Sequence, residues 1–217
     1  MKDYEAYLFD WDGTIGKTLE LWIEVLRNQF EKLGRRDISD EQIVSTIGRW
    51  VEIPREFSLT SAQFDAFNTN VQAEFREKLI NVALYRGITE CLERLGNHSK
   101  KLALITSNWR AAVNDMLRHH SLENTFDLII TIEDVKAHKP DPEGIEMALK
   151  KLGVGKDKAV MLGDSEKDLG AAKNAGIDSI LFYPPDHQLF YELDFLKGHE
   201  PTHIIDSWDS VLSEPTL

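Results

Sequence analysis

The stretch Tyr7-Leu8-Phe9-Asp10-Trp11-Asp12-Gly13-Thr14 decides the fold, because an apolar run ends there at two carboxylates and a turn residue. The apolar residues 6–9 predict a buried strand, and Gly13 permits a sharp turn after it. Asp10 and Asp12 are close enough to repel each other unless a cation lies between them or one is protonated. The stretch therefore predicts a divalent metal or a shared proton at a strand end. The alternative is a tight Asp-Gly turn without chemistry.

The overall composition is that of an acidic globular protein. Its 217 residues fit one domain, or a core domain with a small insertion, and 42% of them are hydrophobic. The formal net charge of −12 argues against nucleic acid or an anionic membrane surface as a partner. A protein this acidic that acts on anions has to concentrate positive charge locally, in a few Lys and Arg side chains and a metal.

The single cysteine, Cys91, excludes an intramolecular disulfide and a Cys-rich zinc site. Apolar residues at helical spacing around it predict a buried position on an amphipathic helix rather than a nucleophile. The apolar run near the N-terminus is too short for a signal peptide or a membrane span. We therefore expect a cytoplasmic protein that has no membrane partner.

The order of the predicted elements indicates the fold class. Residues 16–84 show helical spacing and no strand pattern, whereas from residue 87 short apolar strands alternate with amphipathic helices. After the first strand, further strands are predicted at residues 101–106, 127–131, 159–163, 179–182 and 203–205. This alternation is typical of an α/β fold with a doubly wound, Rossmann-like parallel sheet covered on both faces.

The all-helical block lies between the first strand and the rest of the sheet, so we interpret it as an inserted cap over the catalytic edge. The predicted domains are a catalytic core of residues 1–15 and 86–217 and a helical cap of residues 16–85. Within the cap, Thr18, Ser39 or Asp40, and Ser61 are the predicted helix starts.

The remaining strand ends test the interpretation of Asp10, because ligands of such sheets collect at the carboxyl ends of the strands. The second strand is followed by Thr106, Ser107 and Asn108, whose hydroxyl and amide groups could bind phosphate or only cap the next helix. Beyond the third strand, Lys139 precedes a proline, which restricts its backbone. Its amine could neutralise a phosphate or a carboxylate, although a lysine beside a proline is also common on surfaces.

The fourth strand is followed by two further acids, Asp164 and Asp168. A helix that begins at Ser165 would place both carboxylates on one face, toward the acids of the first strand. Acidic residues are also ordinary at helix N-termini. Carboxylates that converge from two strands repel one another strongly without a cation, however, so capping alone explains this set poorly.

Four elements in this order, Asp-x-Asp-Gly-Thr, a strand-terminal Thr, Lys-Pro and Gly-Asp-x3-Asp, resemble the haloacid dehalogenase superfamily. The resemblance is to its capped phosphatases, such as phosphoglycolate phosphatase and β-phosphoglucomutase relatives, and it covers essentially the whole chain. Two positions depart from the family pattern. Arg86 replaces the proline of the aromatic-Pro-Gly return from the cap, and the usual Asp after the first motif is missing at residues 16–18.

The resemblance implies a role for each strand-end residue. Asp10 would be the nucleophile that forms an aspartyl-phosphate, and Asp12 would protonate the leaving alcohol and then activate water. Lys139 would stabilise the charge on the phosphoryl group and on Asp10. The residues that would bind the transferring phosphoryl group are Thr106, Ser107 and Asn108.

The resemblance also implies a magnesium site. Asp10, Asp164 and the backbone carbonyl of Asp12 would hold Mg²⁺, and Asp168 would orient Lys139 or a metal-bound water. The function implied is a Mg²⁺-dependent phosphatase for a small phosphorylated metabolite, phosphoglycolate-like or a sugar phosphate. The chain would be a monomer or a homodimer.

Several alternatives follow from the same resemblance. A sugar-phosphate mutase uses the same core, and a non-catalytic metal- and phosphate-binding module would need no acid at Asp12. The presence of Asp12 with Asp164 argues against carbon–halogen cleavage, and residues 47–53 offer no lysine for a Schiff base. Arg49, beside Gly48, would grip a substrate carboxylate or second phosphate, or would be a solvated surface residue.

Overall fold

The computed structural model describes residues 2–47, 49–50 and 52–212, without the side chains of Ile80 and Leu212. Its six strands are β1 (Ala6–Phe9), β2 (Lys101–Ile105), β3 (Leu128–Ile130), β4 (Ala159–Gly163), β5 (Asp178–Phe182) and β6 (His203–Ile205). They form one parallel sheet in the order β3-β2-β1-β4-β5-β6. The predicted α/β fold with a doubly wound parallel sheet is confirmed.

Helices surround the sheet and make up the inserted block. In the described residues, four lie in the unit Thr18–Ala83, namely α1 (Leu19–Lys32), α2 (Asp40–Thr46), α3 (Ile53–Glu56) and α4 (Ser61–Lys78). Six belong with the sheet, namely α5 (Ile88–Asn97), α6 (Arg110–His119), α7 (Glu143–Leu152), α8 (Glu166–Ala175), α9 (Leu193–Lys197) and α10 (Asp209–Leu212). Short 3₁₀ turns join several of these elements.

The first strand is the centre of the sheet. All four residues of β1 are buried, and Leu8 pairs with Ala103 of β2 on one side and with Met161 of β4 on the other. The chain order reverses direction at this strand, from β2 and β3 on one side to β4 and β5 on the other. The crevice outside such a switch point is where open α/β sheets bind ligands.

Successive side chains of each strand point to opposite faces of the sheet, so the sheet has a hydrophobic core on each face. Ala6 and Leu8 belong to one buried cluster with Ile105, Ile145 and Ala171, a cluster that packs under α7 and α8. Phe9 contacts the rings of Phe126 and Trp208 at centroid distances of 6.5 and 5.8 Å. Apolar side chains on both faces explain why the strands are apolar throughout.

The contacts divide the chain into two compact units. One contains the residues up to Lys17 and those from Leu84 onward, and the other is Thr18–Ala83. The described part of the second unit is helical, and its core is aromatic. Trp22 stacks on Phe75 at 4.0 Å between ring centroids, and Phe30 lies 4.9 Å from Phe67.

Two helix starts in the second unit carry capping boxes, and a third predicted cap is wrong. Ser39 caps α2 with Gln42 as its reciprocal partner, as predicted, and Thr60 caps α4 with Gln63, one residue before the predicted Ser61. Thr18 stands at the start of α1, but its hydroxyl makes no capping bond. Thr18 has a helical backbone conformation there, whereas a capping side chain needs an extended one.

Contacts within the first unit fix the residues on both sides of the insertion. The backbone N–H of Tyr85 donates to the carbonyl of Ile15 (3.0 Å), and the Tyr85 hydroxyl lies 2.8 Å from Nε2 of His187. Lys17 pairs with Asp186 at 3.4 Å and lies over the Tyr85 ring. The segment Pro185–Leu189 therefore contacts the chain on both sides of the insertion, through Asp186 with Lys17 and through His187 with Tyr85.

No helix in the described residues combines the length and the hydropathy that a membrane span requires.

Candidate active site

The site is built around the ammonium group of Lys139. Its Nζ donates to Oδ1 of Asp10 (2.7 Å), to Oδ1 of Asp168 (2.6 Å) and to the carbonyl of Ile105 (3.2 Å). All three charged side chains are at most 9% exposed. Residues predicted from three separate chain segments thus meet at the carboxyl end of the sheet. We call Lys139, Asp10, Asp164 and Asp168 the acid–lysine centre.

Three carboxylates of this centre are grouped closely enough to share a cation. Asp10, Asp164 and Asp168 each offer an oxygen within 4.8 Å of the others. Among the described residues, Oδ2 of Asp164 has no hydrogen-bond partner within 3.5 Å, and its Oδ1 accepts a long bond from Thr14 Oγ1 (3.4 Å). The Tyr191 phenol also interacts with this carboxylate. A buried carboxylate oxygen without a donor is costly, and oxygen ligands suit a hard divalent cation. The residues present therefore fit a divalent metal.

The pKa values of the centre reflect an excess of carboxylate over ammonium. Burial raises the pKa of Asp10 to about 7, against the opposing charge of Lys139. Burial, with Asp168 and Asp10 nearby, raises the pKa of Asp164 well above its usual value. Burial alone would lower the pKa of Lys139, but its two carboxylate partners outweigh burial and raise it. The ammonium therefore stays charged, and it is shared among three carboxyl groups.

The end of β1 is a tight loop that fixes the first two acids. Asp10 continues the ladder, since its N–H donates to the carbonyl of Leu162 (2.9 Å). The carbonyl of Trp11 then accepts three successive N–H groups, from residues 14–16. Gly13 makes this turn possible because its φ is +73°, in the left-handed region. Asp12 lies inside the turn, half-buried, and its carboxylate lies outside the group of three that could share a cation.

Helix α8 places Asp168 in the centre through its own cap. Ser165 Oγ donates to Oδ2 of Asp168 (2.7 Å), while Oδ1 of the same carboxylate binds Lys139. The carboxylate of Asp168 therefore caps α8 through Oδ2 and contacts Lys139 through Oδ1. Gly163 is required for this arrangement, since a Cβ there would lie 2.3 Å from Cβ of Asp168.

Helix α8 also supports the loop that carries Lys139. Asn174 Nδ2 donates to the carbonyl of Pro140 (2.9 Å). Gly170 lets the same proline approach, because a Cβ at Gly170 would lie 2.8 Å from Cβ of Pro140. The position of the lysine thus depends on tertiary contacts as well as on the restriction that Pro140 imposes.

The residues that follow β2 form a second polar group. Thr106 is buried, and its Oγ1 accepts the backbone N–H of Asn108 (3.1 Å). The side chain of Asn108 donates to Oδ2 of Asp12 (3.3 Å) and accepts the N–H of Trp109 (2.9 Å). Ser107, half-buried, lies between them, and α6 begins shortly afterwards at Arg110. Of the three predicted phosphate-binding residues, Asn108 therefore contacts Asp12 directly.

Arg49 lies in the second unit, near the end of α2. Its guanidinium donates to the carbonyl of Ser45 (3.3 Å) and pairs with the carboxylate of Glu52. Gly48, the residue before it, lies outside the described residues. Trp50 is buried and contacts the ring of Trp22, so it packs in the core of this unit.

Sequence reasoning missed several residues of the site. Thr14 belongs to the quoted motif, but nothing in the sequence indicated that its hydroxyl would reach Asp164. Partial burial beside Asp164 raises the pKa of the Tyr191 phenol well above its usual value. Tyr191 comes from the segment after β5, and no pattern there points to the site. The carbonyl of Ile105 is a partner that no side-chain motif can reveal.

The fold and the site together define an α/β protein with a doubly wound parallel sheet and a buried acidic centre at its switch point. A model of the family described as haloacid dehalogenase-like hydrolase matches residues 7–182. The chain belongs to this family, which confirms the resemblance seen in the motifs, and it is an enzyme, a phosphatase of the family.

The chain is also similar to individual proteins, one found by its sequence and two by their solved structures. The pyrophosphatase PpaX of Listeria monocytogenes is 32% identical over 197 residues, which cover 87% of this chain and 89% of that protein. A putative haloacid dehalogenase-like hydrolase from Bacteroides fragilis is 26% identical, with a TM-score of 0.86 over 96% of this chain and 100% of its own. A putative phosphoglycolate phosphatase from Lactobacillus plantarum, 24% identical, has the same fold, with a TM-score of 0.84 over 97% and 99% of the two chains.

Proposed function

We propose that this protein is a Mg²⁺-dependent phosphatase that hydrolyses a small phosphorylated metabolite through an aspartyl-phosphate. The observation that carries the proposal is the acid–lysine centre. One ammonium there binds two buried carboxylates, and a third, Asp164, has an oxygen without a donor. Phosphoryl transfer needs positioning and charge neutralisation more than other chemistry, and these residues supply both.

In the proposed reaction, a carboxylate oxygen of Asp10 attacks phosphorus while the bond to the leaving oxygen breaks. Asp12 gives its proton to that oxygen and later takes one from the water that hydrolyses the aspartyl-phosphate. Lys139 holds Asp10 through Oδ1 and offsets negative charge as phosphate approaches. Thr106 and Ser107 bind the phosphoryl oxygens.

The metal proposed for the centre is magnesium. Asp10, Asp164 and the backbone carbonyl of Asp12 would hold it, and when bound it neutralises charge on the carboxylates and the phosphate. Asp168 would keep its place on Lys139 and on the α8 cap, where both of its oxygens already have donors. The unsatisfied oxygen of Asp164 supports this division of roles.

The remaining assignments are part of the same proposal. Residues 1–15 and 86–217 would be the catalytic core, and residues 16–85 would be a cap in which Arg49 contributes to specificity. The partner would be a small phosphorylated metabolite in the cytoplasm. The net charge of −12 supports neither nucleic acid nor an anionic membrane surface.

Two substrate classes are supported, one by the family resemblance and one by the name of a relative. The family resemblance supports a phosphoglycolate-like or sugar phosphate, and the pyrophosphatase PpaX relative supports inorganic pyrophosphate. A sugar-phosphate mutase is the alternative, and it would isomerise a hexose 1-phosphate rather than release phosphate.

The test is phosphate release from a panel of small substrates with Mg²⁺ or with EDTA. The panel would contain phosphoglycolate, pyrophosphate, hexose phosphates and an aryl phosphate. We expect magnesium-dependent release, and we expect Asp10→Asn to lower turnover by about 10³-fold or more, since the nucleophile is lost. Asp194→Asn, an exposed substitution on α9, is the matched control. Turnover by Asp10→Asn at the wild-type rate would refute the role of Asp10.

A further inference from the structure

Asn108 joins the second strand end to Asp12. Only 1% of Asn108 is exposed, and its backbone is fixed at both ends. Its N–H donates to Oγ1 of Thr106 (3.1 Å), and its carbonyl accepts the N–H of Ile132 (3.2 Å). The side chain therefore leaves a rigid backbone and points in a defined direction.

The partners of Asn108 determine which end of its amide faces Asp12. The N–H of Trp109 can only donate, so the atom 2.9 Å away from it is the amide oxygen. Nδ2 is then the atom that faces Oδ2 of Asp12 at 3.3 Å, as a donor. A donor on Oδ2 leaves the other oxygen of the Asp12 carboxyl group to carry the proton that is transferred.

We propose that Asn108 is a positioning residue that holds the carboxyl group of Asp12 in the orientation for proton transfer to the leaving oxygen. The inference rests on the proposed function, in which Asp12 is the general acid. It changes the role of Asn108 from a phosphate ligand to a residue that acts through Asp12.

The need for such a residue follows from the surroundings of Asp12. Its side chain is half-buried in the turn after β1. A carboxyl group in contact with solvent can rotate away from the reacting oxygen, and small misplacements cost large factors in rate. The donor at 3.3 Å is long for an N–H···O bond, and such bonds tighten when substrate binds.

A comparison of two leaving groups distinguishes this positioning role from a purely structural one. When the P–O bond breaks, its electron pair goes to the leaving oxygen, which takes the proton from Asp12 if it is a basic alkoxide. A dinitrophenolate is a weak base and leaves without that proton. Loss of the positioning donor should therefore slow alkyl phosphates selectively, whereas a fault in folding or in phosphate binding should slow both substrates equally.

The experiment compares kcat/KM for an alkyl phosphate and for 2,4-dinitrophenyl phosphate, with saturating Mg²⁺, in Asn108→Ala and Asn108→Asp. The aspartate keeps an acceptor for Trp109 but has no N–H for Asp12. We expect both variants to lose about 10- to 100-fold on the alkyl phosphate and less than about 5-fold on the aryl phosphate. Equal losses on the two substrates, or wild-type rates in Asn108→Asp, would overturn the proposal.

Asp12→Asn and its combination with Asn108→Ala complete the test. Asp12→Asn measures the full leaving-group effect, and adding Asn108→Ala should cause no further selective loss, since both changes remove the same contribution. Additive losses would show that Asn108 acts elsewhere. If Asp12→Asn itself shows no selectivity, the proposed function fails. If only the Asn108 variants show none, this inference fails alone.

Discussion

Two charged clusters in this molecule use the same kinds of residue in opposite proportions. In the helical unit, the single carboxylate of Glu74 accepts from donors on all sides, namely Asn28, Gln29, Lys32 and Lys78. In the acid–lysine centre, a single ammonium serves Asp10 and Asp168, and Asp164 lies beside them with an oxygen that has no donor. Donors outnumber the carboxylate in the first cluster, whereas carboxylates outnumber the ammonium in the second.

The pKa values express the same difference. Burial opposes ionisation of Glu74, but its donors, Lys78 first, outweigh burial and lower its pKa. Burial raises the pKa of Asp10 and of Asp164, where the neighbouring acids add to it. A carboxylate surrounded by donors stabilises a fold, whereas a group of buried carboxylates costs stability until a ligand neutralises it. The comparison indicates that the Glu74 cluster stabilises the fold and that the acid–lysine centre would gain stability from a bound cation.

The largest effect is expected from removing the ammonium of the acid–lysine centre. Lys139→Met should destabilise the metal-free protein by about 3–5 kcal/mol, because two buried carboxylates lose their partner. Lys78→Met, the matched change in the Glu74 cluster, should cost less than about 1 kcal/mol, since Glu74 keeps its amide donors and Lys32. Urea unfolding in EDTA measures both values. Equal losses would mean that the two clusters do not differ as described.

A smaller effect, of opposite sign, is expected at Asp164. Asp164→Asn should stabilise the metal-free protein by about 1–2 kcal/mol, because it removes a buried acid whose ionisation is disfavoured and whose protonation at neutral pH costs free energy. It should also abolish the rise in melting temperature that we expect Mg²⁺ to cause in the wild type. Thermal unfolding with Mg²⁺ and with EDTA checks both parts. Asp194→Asn is the exposed control. A variant that keeps the full magnesium response would contradict the metal assignment.

The smallest effect is the pH dependence, which should have opposite signs in the two clusters. Glu74 has a folded pKa below the usual 4.5, so its contribution of about 1 kcal/mol is present above that pH and is lost as the pH falls through the folded pKa. Asp10 has a folded pKa of about 7 against a usual 3.8, so metal-free stability from this group falls as the pH rises between those values.

The measurement is urea unfolding in EDTA between pH 4 and pH 7. Wild type should be more stable than Glu74→Gln at pH 7, and this advantage should shrink toward pH 4. Wild type should become less stable relative to Asp10→Asn as the pH rises toward 7. Glu77→Gln, an exposed change on the same helix as Glu74, is the control. Differences that do not vary with pH would show that these carboxylates titrate alike in the folded and unfolded chain.

Much of the fold could be predicted because strand signals are local. The apolar runs at residues 159–163 and 203–205 coincide with β4 and β6, and the prediction for β2 was one residue too long, at Thr106. Thr18 shows the limit of such signals. It is a good capping residue type at the right position, but the backbone conformation there is set by its surroundings and not by its own preference.

The site was predictable where the chemistry is encoded in a motif. Asp10, Lys139, Asp164 and Asp168 are brought together because parallel strands place their carboxyl ends on one edge. The contacts of Thr14 with Asp164 and of Asn108 with Asp12 could not be predicted. They join residues far apart in the chain through turns whose geometry depends on packing.

The sequence by itself determined the parallel sheet, its central strand and the set of acids and lysine at the strand ends, because periodicity and strand-terminal chemistry are properties of neighbouring residues. Only the tertiary structure decided how the acids share one ammonium, which carboxylate oxygen has no donor and where the amide of Asn108 points. Those outcomes depend on distances of about 3 Å between side chains from different strands, and such distances exist only after the sheet has formed.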